Sequence, residues 1–247
     1  MRENKFYAAC AAGRLRDARS CAIGARDIRG YGDAAFAAAC AGGHTAVAAW
    51  LATNHPPLAT LEALRRACDA GSVVGVQWLF ANMPTLAKEA DTDSFLLACQ
   101  NGYLPLLKIL AETWALTAET ARADAALRYA SEAGHVAVIE WLVDHFGMPT
   151  DADFEGALFL ACASGHVPVA SWLCTRGGIS AARVRSLGCL DAAATAGKLD
   201  MVNWLRARFG MRAAEIGDAA VRVADIRGLS SGSAWKAALM AKERKRA

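Results

Sequence analysis

The chain has 247 residues, of which 55% are hydrophobic and 21% are charged, and its formal net charge is +3. This composition excludes wholesale disorder and fits an ordinary soluble protein, and the small net charge gives little argument for a nucleic-acid partner. Because no apolar run reaches the roughly 20 residues of a membrane span and MRENKFYAACAAGRLR lacks the apolar core of a secretory signal, we expect an intracellular protein.

One segment recurs eight times along the chain, starting with KFYAACAAG near the N-terminus. The copies align on glycines 28 to 32 residues apart: Gly13, Gly43, Gly71, Gly102, Gly134, Gly165, Gly197 and Gly228. An alanine stands four residues before each glycine and a large apolar residue seven before it. Six copies have tryptophan seven residues after the glycine: Trp50, Trp78, Trp141, Trp172, Trp204 and Trp235. A regular period of this length predicts a repeat protein.

Each copy is predicted to form two short antiparallel helices. The large apolar residue and the alanine share one face of the first helix, and the glycine ends that helix in a left-handed conformation. Pro105 and Pro168 follow their glycines by three residues and mark the first turn of the second helix, where proline is tolerated. The tryptophans fall on the apolar face of the second helix, so we expect them in the core between copies.

The two terminal copies are more polar than the inner ones. The first has Asp17 and Ser20 in its second helix, and the last has GLSSGSAWKA. Since one helix pair cannot bury its own apolar face, the pairs are predicted to stack into a solenoid with polar caps. We expect one domain over residues 1–247, with approximate repeats at 1–27, 28–56, 57–87, 88–119, 120–150, 151–182, 183–213 and 214–247.

The order of alanine, small residue, Gly-His and Val-x-x-Trp-Leu resembles the ankyrin repeat. In the sixth copy the matching residues are Leu158, Ala161, Cys162, Gly165, His166, Val169, Trp172 and Leu173. The variant also resembles the divergent ankyrin arrays of large DNA viruses of amoebae and of some protists. The resemblance implies an all-α, ankyrin-like solenoid of about eight helix-turn-helix repeats. Because no copy has the threonine-proline opening or a glycine-bearing hairpin segment, we expect short or degenerate β-hairpin loops.

Cysteine and histidine recur at fixed positions, which raises the question of a metal site or a thiol nucleophile. Cysteine stands three residues before the glycine at Cys10, Cys40, Cys68, Cys99 and Cys162, and histidine follows it at His44, His135 and His166. The glycine separates Cys162 from His166, zinc would need two further ligands, and a nucleophilic pair would need a third orienting group. We therefore predict buried structural thiols and turn histidines bonded to backbone, with no catalytic residue, metal or cofactor.

The resemblance also implies a binding surface, because residues just before the glycine point into the groove of ankyrin arrays. The inner copies place Asp69, Gln100, Asn101 and Glu132 there, and Thr92, Asp124 and Glu155 extend this set if the preceding segments sit where ankyrin hairpins do. We expect a monomeric, non-enzymatic scaffold whose mildly acidic groove binds another protein that offers lysine or arginine, with no small-molecule substrate and no membrane contact.

An alternative function is suggested by the C-terminal segment AKERKRA. Its basic residues Lys242, Arg244, Lys245 and Arg246 are a candidate patch for nucleic acid or another anionic partner, or a nuclear-import signal. A solvated helix end is the simpler interpretation of so short a run. The expected compartment is therefore the cytoplasm (the host cytoplasm if the chain is viral), with the nucleus as the alternative.

Overall fold

The computed structural model describes residues 5–22, 25–55, 60–147, 150–217, 236–237 and 240–241. The chain divides into two compact units, Met1–Arg122 and Ala123–Ala247. Within the described residues all regular structure is helical and no strand occurs, which confirms the all-α prediction. The single-domain arrangement and the repeat borders stay predictions.

The first unit contains four of the predicted helix pairs. Its helices are α1 (Lys5–Ala11), α2 (Leu15–Cys21), α3 (Ala25–Ala41), α4 (Thr45–Asn54), α5 (Thr60–Asp69), α6 (Val73–Asn82), α7 (Pro84–Lys88), α8 (Thr92–Asn101) and α9 (Leu104–Thr113). The pairs are α1–α2, α3–α4, α5–α6 and α8–α9, and α7 belongs to the connection between the third and fourth pairs. In the terminal helix α2 only Ala18 is buried, as expected of a polar cap.

The second unit contains three further pairs. Its helices are α10 (Ala123–Ala133), α11 (Val136–Phe146), α12 (Asp151–Ser164), α13 (Val167–Arg176), α14 (Ala181–Ser186), α15 (Cys189–Thr195) and α16 (Leu199–Phe209), followed by a 3₁₀ turn at Ala213–Glu215. The pairs are α10–α11, α12–α13 and α15–α16. Most of the eighth predicted copy, with Gly228, Trp235 and the basic tail, lies outside the described residues.

Two of the segments between the pairs form short helices. They lie where an ankyrin repeat would have its hairpin. Helix α7 begins with Pro84, whose fixed φ suits a first helical position, and Leu86 anchors it in the core. Helix α14 begins after Ser180, whose hydroxyl accepts a hydrogen bond from the Arg183 amide, and it buries Val184. The expected degenerate loops are thus short helices in these two connections.

The repeat glycine has two tasks in the turn between the helices of a pair. All seven described repeat glycines have positive φ, between 67° and 90°. The side chain that follows the glycine also lies over the glycine of the preceding repeat. A Cβ added at Gly13 would stand 2.5 Å from the His44 ring, and one at Gly134 would stand 2.6 Å from the His166 ring. Glycine is therefore required both by the backbone conformation and by the next repeat.

Small residues bring the first helices of neighbouring repeats close together. The alanines four before the glycine and the large residues seven before it are all buried in the seven described copies. Within each unit, consecutive first helices such as α3 and α5 or α10 and α12 make extensive contact, whereas consecutive second helices contact each other sparsely. The core therefore lies between the two layers, with the tightest packing in the first-helix layer.

The sequence placed the repeat tryptophans in the core between copies, and the five that the structure describes are half-buried at the edge of that core. Each of three rings packs on a phenylalanine of a first helix, with centroid distances of 6.4 Å for Trp50 and Phe6, 6.0 Å for Trp78 and Phe36, and 6.5 Å for Trp172 and Phe154. The first two pairs join successive repeats. Tryptophan thus closes the seam between repeats while one part of its ring contacts solvent.

Candidate protein-binding surface

The first helices have one buried and one exposed face. Positions 3, 4, 7 and 8 before the repeat glycine are mostly buried, while positions 2, 5, 6 and 9 fall on the opposite side of the helix by its 3.6-residue period. In α10, for example, Leu127 and Ala130 are buried, whereas Tyr129 and Glu132 are exposed. We call this exposed side, in either unit, the first-helix surface.

In the first unit, two of the predicted binding residues contact each other. The Asn101 amide donates to the Asp69 carboxylate at 3.3 Å and lies 3.4 Å from the Asp69 carbonyl oxygen. Asp69 and Gln100 are exposed, and Asn101 is half-buried. Thr92 is turned elsewhere, because its hydroxyl donates to the Thr120 carbonyl at 3.3 Å. The structure therefore joins Asp69 to Asn101, whereas Thr92, at the start of α8, binds the connection that follows its repeat.

Arginines neutralise most other carboxylates on the first helices of this unit. Arg65 forms a bidentate pair with Asp91, at 2.9 and 3.0 Å, and lies 3.6 Å from Asp93. Burial raises the pKa of Asp91, but hydrogen bonds from Arg65 and Ser94 outweigh it and hold that pKa below its usual range. Arg66 binds Glu62 at 2.9 Å. The surface of the first unit is thus polar and nearly charge-balanced at these positions.

In the second unit, two of the three predicted binding residues are also paired with arginine. Asp124 accepts from Arg128 at 3.2 Å, and Glu155 forms a bidentate pair with Arg183 of the following connection. The hydrogen bond from Arg183 lowers the pKa of Glu155, so this carboxylate stays charged at neutral pH. The pair spans an open cleft of about 590 Å³ that is also lined by Phe154 and Ile179.

Glu132 differs from these two carboxylates. It is exposed on α10 and forms no ion pair or hydrogen bond within the part of the chain that the structure describes. Tyr129, three residues before it, is 40% exposed, and so is Phe159 on the neighbouring helix α12. Neither ring was among the predicted binding residues, because the ankyrin resemblance points to the residues next to the glycine. Their signal was a large apolar residue on the otherwise polar side of a first helix.

The recurrent thiols and histidines have structural roles. All five cysteines of the repeated position are free and buried, and burial raises the pKa of Cys40 and of Cys68 to about 12. The His44 Nε2 lies 3.1 Å from the Ala11 carbonyl oxygen, which confirms the predicted bond from a turn histidine to backbone. The His166 ring lies against Gly134 of the preceding repeat. Protonated buried thiols of this kind are poor nucleophiles.

The described residues contain neither a candidate metal site nor a candidate membrane span. No group of three or more histidine, cysteine, aspartate or glutamate side chains in those ranges has a geometry that could hold a metal ion. Among the same residues, no helix is both long enough and apolar enough to cross a membrane.

Comparison with protein families supports the resemblance seen in the sequence. Residues 95–184 match the family model described as ankyrin repeats, in three copies. This part of the chain carries ankyrin repeats. The matched range covers α8 to the middle of α14, and the neighbouring pairs repeat the same buried alanine and left-handed glycine. A search of curated proteins returned no match. Ankyrin repeats generally mediate protein–protein interaction, and the family is typically non-catalytic.

Proposed function

We propose that this ankyrin-repeat protein is an intracellular, non-enzymatic scaffold that binds another protein on its first-helix surface. The observation that carries the proposal is the two-layer arrangement within each unit. The second helices cover one side of the first helices, and the other side stays exposed over consecutive repeats. Because the first helices approach each other more closely than the second helices do, a stack of such pairs curves towards the first-helix layer and offers a concave surface.

The side chains of this surface suit recognition better than chemistry. Asp69, Gln100 and Glu132 are exposed polar groups two residues before the repeat glycine, where the ankyrin resemblance places partner contacts. Arg65, Arg66 and Arg128 in the same layer are held by carboxylates, so these three offer no concentrated positive charge for a phosphate backbone. A protein partner is therefore favoured over nucleic acid on this surface.

The proposal can be tested by site-specific photo-crosslinking. A p-benzoylphenylalanine residue is placed at Gln100 or at Glu132 in the first-helix layer, and at Gln77 or Glu140 as matched controls on second helices. After irradiation in a lysate of the source cells, crosslinked proteins are identified by mass spectrometry. We expect Gln100 and Glu132 each to capture a discrete protein that the two control positions do not capture.

Two outcomes would contradict the proposal. One is crosslinking of the same protein with equal or greater yield from Gln77 and Glu140, which would place the interface on the second helices. The other is crosslinking that is abolished by nuclease and by salt, which is the behaviour of a nucleic-acid ligand.

A further inference from the structure

The first-helix surface of the second unit carries two exposed aromatic rings. The polar contacts described above do not account for them. Tyr129 on α10 and Phe159 on α12 are each 40% exposed, and no other large apolar side chain of the described part of this unit is classed as exposed. Both belong to the first-helix surface, at positions five and six before their glycines. Aromatic rings exposed on a binding face are the residues most often found to dominate interface energies.

Small residues follow Phe159 on α12. Gly156 also lies on this helix, but the Arg128 side chain packs against it, with its Cδ 3.6 Å from where an added Cβ would stand. Ala163 and Ser164 follow Phe159 on the same helix. A partner chain can therefore approach the backbone of α12 at Ala163 and Ser164, on the side that carries Phe159.

The charge beside Tyr129 selects the chemistry of such a partner. Glu132 follows Tyr129 by three residues and therefore lies on the same face of α10. Its carboxylate has no partner within the described residues, in contrast to Asp124 and Glu155, which bind arginines. A planar guanidinium can stack on a tyrosine ring while it donates to an adjacent carboxylate, which makes arginine the best match for this pair.

We propose that Tyr129, Glu132 and Phe159 form the specificity site for an extended segment of a partner protein. In that segment an arginine binds Tyr129 and Glu132, and an apolar side chain about three residues away packs on Phe159. The spacing follows because packed helices are about 8–10 Å apart, and side chains three residues apart in a polyproline II segment share one side and are separated by about 9 Å. This inference rests on the proposed function and specifies its partner.

The test is a selection of peptides from a phage-displayed random 12-mer library on the immobilised full chain. We expect enriched sequences with an arginine and, about three residues away, a leucine, methionine or aromatic residue. A synthetic, fluorescein-labelled copy of one enriched peptide is then titrated by fluorescence polarisation. Its Kd should rise at least tenfold with Glu132→Lys and with Phe159→Ala, while Tyr129→Phe, which keeps the ring, should change it less than threefold.

Two control variants test whether a charge reversal or the loss of an exposed aromatic ring elsewhere has the same effect. Glu140→Lys lies on the second helix α11, and Tyr31→Ala removes another exposed tyrosine, 47% exposed, on α3. Both should leave the Kd unchanged. A repeat selection on the Glu132→Lys variant should replace arginine with aspartate or glutamate, and this reversal of preference is not expected from a general loss of folding.

Three results would overturn the inference. They are no enrichment on the unmodified chain, enriched peptides without a basic residue, or an affinity that Glu132→Lys and Phe159→Ala leave unchanged. If the double variant Asp69→Ala, Gln100→Ala loses the affinity for the selected peptide, the result would contradict this inference and remain consistent with the proposed function. If only the double variant Gln77→Ala, Glu140→Ala on the second helices loses that affinity, the result would contradict both this inference and the proposed function.

Discussion

At the residue scale, the repeat glycine is fixed by two separate demands. The backbone needs glycine there because φ is positive. The packing needs glycine because the side chain of the next repeat occupies the space of a Cβ. The sequence predicted the first, because a glycine between two helices is a local signal. It could not predict the second, since the contact of His166 with Gly134 joins residues 32 positions apart and depends on how repeats stack.

The two demands can be separated with a pair of glycine substitutions. Gly178→Ala affects a positive φ of 59° with nothing within 4 Å of the new Cβ, so we expect a loss of about 1–2 kcal/mol in unfolding free energy. Gly134→Ala should cost more, because its Cβ would also overlap the His166 ring. Urea unfolding measures both. Adding His166→Ala to Gly134→Ala should reduce the loss of unfolding free energy towards that of Gly178→Ala. Equal losses for Gly178→Ala and Gly134→Ala would contradict a packing role of Gly134 against His166.

The half-burial of the tryptophans changes the stability expected from them. Phe36 is 1% exposed and Trp78, its ring partner at 6.0 Å, is half-buried. We therefore expect Phe36→Ala to cost about 3–5 kcal/mol and Trp78→Ala to cost less, about 2 kcal/mol, although tryptophan is the larger side chain. Chemical unfolding of both variants checks the order. A greater loss for Trp78→Ala would show that the tryptophan, rather than the phenylalanine, is the buried member of the pair.

At the element scale, the helix pairs were predictable and the connections were not. The first and second helices follow from the spacing of alanine and glycine, which repeats in every copy, and of tryptophan, which repeats in six of the eight. Helices α7 and α14 have only five and six residues, and their stability depends on burying Leu86 and Val184. Their local signals, Pro84 and Ser180, were present in the sequence. A single cap does not establish a helix of that length without tertiary contacts.

The start of α12 allows a test of how much a cap contributes. The Thr150 hydroxyl accepts a hydrogen bond from the Asp153 amide at 3.4 Å, and the Asp153 carboxylate accepts one from the Thr150 amide at 3.0 Å. Thr150→Ala should lower the unfolding free energy by about 1 kcal/mol. The control Thr175→Ala, inside α13 on an exposed position, should change it by less than about 0.5 kcal/mol. Similar losses from both would show that the capping box contributes nothing.

At the scale of the whole molecule, the buried thiols make stability depend on alkaline pH. Burial raises the pKa of Cys40 and Cys68 from 9.0 to about 12, and burial together with Cys21 raises that of Cys10 to about 11. Between about pH 9 and pH 11 the unfolded thiols lose protons that the folded ones keep. The unfolding free energy therefore falls as pH rises, by about 1.4 kcal/mol per pH unit for each thiol.

Alanine substitution isolates this effect, because alanine occupies the same repeat position at Ala194. In the double variant Cys40→Ala, Cys68→Ala, unfolding free energy should fall less steeply above pH 9 than in the unmodified chain. The expected difference in slope is about 2.7 kcal/mol per pH unit. Urea unfolding at a series of pH values measures it, and identical slopes in the two proteins would contradict the burial of these thiols.

For the candidate site, the sequence predicted that its residues lie on the first helices. It did not predict their ion pairs or the exposed aromatic rings beside them. Asp69, Gln100 and Glu132 lie on the exposed side of first helices, as the resemblance implied, because their register follows from the repeat. The predicted acidity of the patch is reduced by Arg128 and Arg183, which bind Asp124 and Glu155. Such pairings, and the exposure of Tyr129 and Phe159, are set by neighbouring repeats and are not readable from one repeat alone.

The most direct test of the scaffold proposal is the Kd of the partner captured by crosslinking, measured for two matched triple variants. Asp69→Ala, Gln100→Ala and Glu132→Ala alter the first-helix surface, whereas Asp144→Ala, Gln77→Ala and Glu140→Ala alter second helices. We predict that both fold like the unmodified chain, and that only the first triple weakens binding, by at least tenfold and with a shallower salt dependence. Unchanged affinity in the first triple, or an equal loss in the second, would contradict binding on the first-helix surface.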